Sequence, residues 1–385
     1  MAASGEKPYR VYKGGRQKGK VPLPGRDDRD RRPPADDPRR RRRRPWTWRR
    51  WTALSLLVLL VLIVVWGVAG YLSVASGVSA ANKRLPPGTT AALTNQNGLI
   101  LDSPTNILLL GTDHATNGQA GRISDEHSDS MMLLRTDPSR HRITYLSIPR
   151  DLAVTIGGVN QKINAAMQIG GPKLAIQTVD ALLGSQLRVN HVVLVDFEQF
   201  QTLIDAVGGI TVNVPERILS NRFDCPYSSA ARCARWPGWR FAKGPQHMDG
   251  HTALIYSRIR ENQLDPSWTD FKRQQNQQAV MQATLAKLSS PTRFLSLPFD
   301  GSNLLAPIST DLSTWDFLQL AWVKFRAGEV VHCRLGGSPY NGAIEGGPEN
   351  IQVIQEVLGN SAPQPPAPGT SLYGPGCVVG NQPFR

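Results

Sequence analysis

The sequence predicts an α/β domain in which helices cover a mainly central β-sheet. Short apolar runs bounded by turn-forming residues are typical of buried strands, and several occur between residues 107 and 214. Runs in which apolar residues have helical spacing alternate with these strands. Because strands that alternate with helices along a chain form layered α/β folds, the two patterns together predict the fold class.

The individual elements follow from these two patterns. The strands are expected at residues 107–110, 130–135, 142–148, 191–196 and 210–214. The helices are expected at residues 172–183, 197–207 and 269–288. The pair Gly208-Gly209 ends the second helix, because glycine readily adopts the conformation that closes a helix. The segment YSRIR at residues 256–260 alternates as a strand would, which places Arg258 and Arg260 on one face.

The positive charge of the chain is concentrated near its N-terminus. Residues 1–50 hold 18 Lys and Arg against 6 Asp and Glu, and Lys83 and Arg84 complete the net charge of +14. From residue 85 onward, 24 basic residues balance 24 acidic ones. The excess of basic residues therefore belongs to a tail with few interleaved aromatic residues, and it does not predict a nucleic-acid-binding domain.

An uncharged stretch follows this basic tail. Residues 51–72 are apolar and, at ~1.5 Å rise per residue, long enough to cross a ~30 Å hydrocarbon core, so they predict one transmembrane helix. A cleaved signal peptide is disfavoured because a polar tail of 50 residues precedes the stretch. The arginine run at 39–44, with Arg49 and Arg50, predicts that the tail stays in the cytoplasm and that the C-terminal domain is extracellular, as in a type II membrane protein.

Composition divides the rest of the chain. Residues 1–50 lack periodicity and are expected to be a disordered cytoplasmic tail. Residues 73–98 are rich in Ala, Ser, Gly and Pro and predict an extracellular linker. Residues 99–359 are expected to form the folded domain, and residues 360–385 a Pro- and Gly-rich tail that extends along its surface.

Four cysteines lie on the side of the chain that is expected to be extracellular. Cys225, Cys233, Cys333 and Cys377 do not have the spacing of a metal site, and four cysteines allow three pairings. The pairing of Cys225 with Cys233 and of Cys333 with Cys377 is favoured, because the first closes a short loop and the second attaches the tail. Free buried thiols are the alternative, which is less common outside the cytoplasm.

Two aspartates lie beside predicted buried strands. Asp113 follows NILLLGT and Asp129 lies within HSDSMMLL, each in a loop flanked by small residues. Mg²⁺ prefers oxygen ligands and is commonly bound by one or two carboxylates together with substrate phosphates. Because ligands of α/β sheets bind at the loops beyond the strand ends, the pair predicts a magnesium site. The alternative is that Asp113 only caps a turn.

Cations near the same strands predict that this site binds an anion. Arg150 follows a strand in LSIPRD, Lys162 lies in KINAA, and Arg273 begins a helix rich in glutamine. The planar guanidinium group makes paired, charge-assisted hydrogen bonds to phosphate. With the two aspartates, these cations predict a site for a metal-bound phosphate. A charged strand edge and a solvated helix are the alternative interpretation.

Seven motifs occur in a recognisable order after the apolar stretch. They are NILLLGTD, HSDSMMLL, LSIPRDL, KINAA, VDFEQFQTLIDAVGGITVNVP, YSRIR and DFKRQQNQQAV. In this order they resemble the LytR-CpsA-Psr family over about residues 106–288. The resemblance implies an αβα sandwich with a central mixed sheet and a lipid-binding cleft. It also implies a phosphotransferase that attaches polyprenyl-pyrophosphate-linked glycopolymers to the bacterial cell wall.

The resemblance further implies roles for individual residues. The magnesium carboxylates correspond to Asp113 and Asp129, and the pyrophosphate-binding groups correspond to Arg150, Lys162, Arg258, Arg260, Arg273 and Gln277. Two positions depart from the family pattern. His127 precedes Ser-Asp where the family usually has Arg, and Asn276 occupies the second arginine position of the helix motif. Arg122, in the intervening loop, is the candidate replacement for a lost cation.

The expected reaction is magnesium-assisted phosphoryl transfer by the domain at residues 99–359. A sugar hydroxyl of peptidoglycan attacks the phosphorus that bears the glycan, and polyprenyl phosphate leaves. Arg150, Asp151 and Arg258 are the expected catalytic residues. Asp151 or another carboxylate is the candidate general base, and no residue stands out for that role. The expected partners are the lipid-linked glycopolymer, peptidoglycan and the cytoplasmic membrane, and no nucleic acid is expected.

Two alternative functions stay open on the sequence alone. One is a pyrophosphatase, which would use water in place of a sugar hydroxyl. The other is a membrane-bound regulatory protein, such as a transcription attenuator. The glycopolymer itself is not named by any residue pattern, although the high content of Arg, Ala and Pro favours a high-GC actinobacterial source.

Overall fold

The computed structural model describes residues 9–10, 21–22, 48–112, 128–268, 270–288, 290–305, 307–367 and 373–380. The chain divides into two units, Met1–Leu59 and Leu60–Arg385. In the first unit, strands β1 (Tyr9–Arg10) and β2 (Val21–Pro22) pair antiparallel, and helix α1 (Trp48–Arg84) begins. Most of the predicted disordered tail, residues 1–50, lies outside the described residues.

The second unit contains the other strands and helices. The strands are β3 (Thr105–Thr112), β4 (Ser128–Asp137), β5 (Arg142–Ile148), β6 (Ala153–Ile156), β7 (Val159–Lys162), β8 (His191–Asp196), β9 (Ile210–Val214), β10 (Ile218–Leu219), β11 (Arg240–Phe241), β12 (Gly244–Met248), β13 (Ser309–Thr310), β14 (Glu329–Arg334), β15 (Gly337–Tyr340), β16 (Ala343–Gly346) and β17 (Gly376–Val379). The helices are α2 (Ala165–Leu183), α3 (Phe197–Ala206), α4 (Ala230–Arg235), α5 (Gly250–Arg258), α6 (Asp270–Leu288), α7 (Pro291–Leu305), α8 (Thr314–Arg326) and α9 (Glu349–Leu358).

A mixed sheet forms the centre of this unit. Its described strands are ordered β13-β8-β3-β4-β5-β14-β17. The pairs β3 with β8 and β5 with β14 are parallel, whereas β4 runs antiparallel to both of its neighbours. This arrangement confirms the predicted α/β class and the central mixed sheet.

Helices cover both faces of the sheet, which makes an αβα sandwich. Alternate residues of a strand point to opposite faces. On one face, Leu133 of β4 belongs to a buried cluster with Ile176 of α2 and Val357 of α9. On the other face, Met132 packs with Met281 of α6. A third buried cluster joins α3, α5 and α6 to β9 and β12, and this cluster holds the helices that carry part of the candidate site.

Helix α1 continues past the predicted end of the transmembrane segment at Leu72, as far as Arg84. Among the described residues it is the one helix long and apolar enough to cross a membrane. Its last turns pack on the domain, and Val74, Gly77 and Ala81 are buried. The amide of Ser302 in α7 donates a hydrogen bond to the Ser73 hydroxyl at 3.1 Å. Residues 73–84 of the predicted linker are therefore part of a helix that is fixed to the folded domain.

The first three residues of the segment YSRIR, Tyr256 to Arg258, are the end of a helix and the last two follow it, so the prediction of a strand at residues 256–260 is wrong. Helix α5 begins after Asp249, whose carboxylate accepts a hydrogen bond from the Thr252 amide at 2.8 Å, and it ends at Arg258. This cap satisfies an amide at the start of the helix, and the buried side chains from Ala253 to Ser257 then pack inside the domain. The capping hydrogen bond and the packing of the buried side chains favour a helix more strongly than the alternation of polar and apolar residues favours a strand.

Four residues of the C-terminal segment, Gly376–Val379, form strand β17 of the sheet, whereas the sequence predicts a surface tail over residues 360–385. Strand β17 pairs antiparallel with β14, and Cys377 lies opposite Cys333. These two residues form one disulfide, and Cys225 and Cys233 form the other, as expected. The side chains of Cys333 and Cys377 are buried, because the bridge crosses between two strands next to the core.

Candidate active site

Five neighbouring strands meet at one edge of the sheet, which we call the site edge. Strands β3, β8, β5 and β14 end there, and β4 begins there. The register places Thr112 beside Asp196, and Met131 beside Ile148. Asp129 is the second residue of β4 and Arg150 follows β5, so the topology brings these two predicted site residues to one edge, and Asp113 follows the last residue of β3 in the sequence.

The two predicted magnesium ligands are adjacent in sequence to paired residues of β3 and β4. Gly111 pairs with Ser130 and Thr112 pairs with Ser128, so Asp129 is the extra residue of a β-bulge. Asp113 follows Thr112 directly but lies outside the described residues, and only the backbone of Asp129 is described. In the described parts of the chain, no three His, Cys, Asp or Glu side chains converge on a metal position.

Arg150, Asp151 and Lys162 form one charged cluster beyond the end of β5. Asp151 Oδ1 lies 3.0 Å from Lys162 Nζ, and Asp151 Oδ2 lies 3.6 Å from Arg150 Nε. Lys162 ends β7, whose partner strand β6 begins two residues after Asp151. Both carboxylate oxygens face a cation, so Asp151 holds the Arg150 and Lys162 side chains close together.

The start of α6 lies at the same edge. The Gln278 side-chain amide donates a hydrogen bond to the hydroxyl of Ser147, near the end of β5. One turn later, Gln282 contacts His332, which is farther from the edge. Because α6 runs away from the edge, its first turns, with Arg273 and Gln277, lie at or beyond the strand ends. The Arg273 side chain is only 1% exposed, so the guanidinium group belongs to the interior of this region.

Asn276, which occupies a position where the family motif has an arginine, makes a structural contact with α5. Its side-chain amide donates a hydrogen bond at 3.3 Å to the carbonyl of Tyr256 in α5, and the residue is buried. An arginine at this position would point towards the backbone of α5. The loss of this cation is therefore part of how α5 and α6 pack together.

Arg258, the last residue of α5, forms an ion pair with Asp224. Its guanidinium carbon also lies 5.8 Å from the centre of the Phe223 ring. Arg260, two residues later, is exposed. Sequence reasoning missed Asp224, because no local pattern connects it to an arginine 34 residues later in the chain.

The predicted residues thus fall into two described groups that are joined by α6. The first group is Arg150, Asp151 and Lys162 at the end of β5, and the second is Arg258 with its partner Asp224 at the end of α5. Helix α6 contacts β5 through Gln278 and α5 through Asn276. Arg122 and His127 lie outside the described residues. The arrangement concentrates positive charge around a strand edge with carboxylates beside it, which suits a phosphate with a bound cation.

Comparison with known proteins gives a family and several relatives. The model of the LytR_cpsA_psr family matches residues 70–331. Polyisoprenyl-teichoic acid–peptidoglycan teichoic acid transferase TagV of Bacillus subtilis is 33% identical over 252 residues, which are 63% of this chain and 59% of the relative. The chain thus matches less than two thirds of the length of TagV.

A second transferase and one solved structure extend the comparison. The transferase with the same description, TagU of Bacillus mycoides, is 32% identical over 238 residues, or 61% of this chain and 68% of the relative. The crystal structure of Bacillus subtilis TagV aligns with a TM-score of 0.51 at 28% identity, over 67% of this chain and 97% of that chain.

Proposed function

The chain belongs to the LytR-CpsA-Psr family, and from this premise we propose that it transfers a glycopolymer from a polyprenyl-pyrophosphate carrier to peptidoglycan. The observation that carries the proposal is the cluster of Arg150, Asp151 and Lys162 at the edge where β3 ends and β4 begins. The names of TagV and TagU support transfer of a lipid-linked polymer to peptidoglycan.

The charges at the site edge match a diphosphate. A guanidinium group and an ammonium group each contribute charge-assisted hydrogen bonds of about 1.5–3 kcal/mol to a bound anion. Asp151 holds Arg150 and Lys162 in place before the substrate binds, which reduces the entropy lost on binding. The buried Arg273 and the partly exposed Arg258 add positive charge on the helical side.

The reaction forms one phosphorus–oxygen bond and breaks another. The acceptor hydroxyl attacks the phosphorus that bears the glycan, its proton passes to a carboxylate of the site edge, and polyprenyl phosphate leaves with the bond electrons. Arg150 and Lys162 stabilise the negative charge that develops on the phosphate oxygens. When Mg²⁺ is bound by Asp113 and Asp129, it supplies further charge neutralisation at those oxygens.

The anchor places the domain next to its donor. Helix α1 is fixed to the domain through its last turns, so the domain stays within reach of a lipid that cannot leave the bilayer. The basic residues before α1 favour a cytoplasmic tail and an extracellular domain, which is the side where peptidoglycan lies.

A transfer assay tests the proposal with the full chain in detergent. The donor is a synthetic polyprenyl-pyrophosphate saccharide and the acceptor is a soluble peptidoglycan fragment. We expect Arg150→Ala to lower kcat/KM by roughly 10- to 150-fold, the equivalent of one charged hydrogen bond. The matched control is Arg188→Ala, an exposed arginine before β8 at the opposite edge, which should leave kcat/KM unchanged.

Three results distinguish the alternatives. Equal kcat/KM values for Arg150→Ala and Arg188→Ala would exclude the site assignment. Release of polyprenyl phosphate at the same rate with and without acceptor would show a pyrophosphatase. A transfer rate that is unchanged by Asp113→Ala and by removal of Mg²⁺ would exclude the magnesium site while leaving the transferase in place.

A further inference from the structure

An excursion of residues 220–239, which we call the disulfide loop, leaves the domain between β10 and β11. Its base is closed, because the Ser220 amide donates a hydrogen bond to the Trp239 carbonyl at 2.9 Å. The disulfide between Cys225 and Cys233 fastens its middle. The loop encloses α4 and projects from a short antiparallel pair of strands.

Side chains inside the disulfide loop hold it in one shape. Arg222 donates a hydrogen bond to the Ala234 carbonyl at 2.9 Å, and the Trp239 indole donates one to the Phe223 carbonyl at 3.0 Å. The rings of Trp236 and Trp239 meet edge to face at 5.3 Å. A surface loop with these internal contacts is preorganised, so binding to it costs little conformational entropy.

The outer side of the loop carries an open cleft with two cations and aromatic rings. The cleft is lined by Tyr227, Arg232, Arg235, Trp236 and Pro237. Tyr227 is 45% exposed, and both arginines are exposed to solvent. A sugar ring packs its apolar face on an aromatic side chain, and a guanidinium group binds a carboxylate through two parallel hydrogen bonds. The cleft therefore has the chemistry to bind a saccharide that carries carboxylates.

The disulfide loop is connected directly to the candidate active site. Asp224, in the loop, forms the ion pair with Arg258, and the neighbouring Phe223 ring contacts the same guanidinium group. On the other side, the Gln263 side-chain amide, five residues after Arg258, donates a hydrogen bond to the Pro237 carbonyl at 2.8 Å. The cleft and Arg258 thus belong to one rigid piece of structure.

We propose that the cleft of the disulfide loop is the acceptor subsite, which binds the glycan of peptidoglycan through the carboxylates of its peptide stems. This inference rests on the proposed transferase function. Arg232 and Arg235 pair with the carboxylates, and Tyr227 packs on a sugar ring. The Asp224–Arg258 pair joins this subsite to the diphosphate, so a bound acceptor is held beside the phosphorus that it attacks.

The position of the cleft favours the acceptor over the donor glycan. The donor is held by its lipid and its diphosphate at the strand edge, whereas the cleft opens outward to solvent on an exposed loop. An acceptor that approaches from the cell wall meets the exposed arginines first.

The test measures binding without any transfer. The full chain in detergent is titrated with a soluble disaccharide-peptide of peptidoglycan, with wild type compared with Arg232→Glu/Arg235→Glu. The control Arg188→Glu/Arg326→Glu makes the same change of net charge at two exposed arginines elsewhere. We expect the Kd for the fragment to rise at least tenfold in the loop variant and to stay unchanged in the control. A fragment with amidated carboxylates should bind both variants and wild type with similar Kd.

A second variant and a second ligand complete the experiment. Tyr227→Ala removes a ring without changing charge and should raise the Kd of both fragments, while the unfolding temperature of each variant reports folding. The polyprenyl-pyrophosphate saccharide should bind all variants equally. Equal fragment Kd values in the loop variant and the control overturn the proposal, as does loss of affinity for the donor alone. If neither wild type nor any variant transfers glycan, but the Kd for the fragment still rises in the loop variant, the transferase function is wrong and the binding site remains.

Discussion

Replacement of Cys333 and Cys377 by alanine is expected to destabilise the domain more than replacement of Cys225 and Cys233. A disulfide stabilises a protein mainly by limiting the conformations of the unfolded chain, and the effect grows with the length of the closed loop. The two bridges join residues that are 44 and 8 positions apart. The comparison therefore tests loop closure within a single chain.

The expected magnitudes follow from these two separations. The chain-entropy relation gives a loss of about 4 kcal/mol at 25 °C for the bridge between β14 and β17, and of about 2.5 kcal/mol for the bridge in the disulfide loop. Both Cys333 and Cys377 are buried, so their replacement also removes packing next to the core. The difference between the two double variants is thus about 1.5 kcal/mol or more.

Urea denaturation of the full chain in a non-ionic detergent measures both values. Circular dichroism follows the loss of the domain, and the linear dependence on urea concentration gives the free energy of unfolding. The slope should be alike for the two variants if both unfold in one cooperative step. Equal losses, or a larger loss for Cys225→Ala/Cys233→Ala, would refute the reasoning from loop length.

Three further predictions concern single residues. Burial, with a smaller contribution from Lys324, lowers the pKa of His332, so its stabilising contribution is complete above the unfolded value and is lost as pH falls below it. Between pH 7.5 and pH 5.5, the urea midpoint of the His332→Gln variant should therefore fall less than the urea midpoint of wild type. Gly77→Leu should detach the end of α1 from the domain, because a Cβ added at Gly77 would lie 2.9 Å from Ser302 Cα. Trypsin should then cut the chain at Arg84. Gly67→Leu is the control, because a Cβ added at Gly67 has no neighbouring atom within 4 Å. Asn276→Arg should lower the unfolding temperature without improving donor binding, because the residue is buried against α5; tighter donor binding would contradict this.

Several elements could be predicted from local sequence, because their signals are contained in a few consecutive residues. The sequence predicts the strands at 142–148 and 191–196 with their observed bounds, since each is a short segment rich in β-branched and other apolar residues. The helix predicted at residues 197–207 begins where Asp196 and Gln199 form a capping box. The cation cluster was also predicted in part, as Arg150, Asp151 and Lys162 lie together.

Other features depend on contacts between distant parts of the chain. The small residues of α1 are uninformative until α7 packs on them, so the helix could not be followed beyond Leu72 from composition alone. Strand β17 is recognisable only through its pairing with β14, because its sequence is short and lies in a segment rich in Pro and Gly. The structural role of Asn276 depends on a hydrogen bond to α5, which forms only because α5 and α6 pack side by side.

By itself, the sequence determined the α/β class, the apolar span and the types of charged residue that the site uses. These features follow from hydropathy, charge and spacing, which depend only on residues that are close together in the sequence. The tertiary structure decided which charges meet. It joined Asp224 to Arg258 and connected the disulfide loop to the site, since an ion pair between residues 34 positions apart exists only after the helices and the sheet have packed.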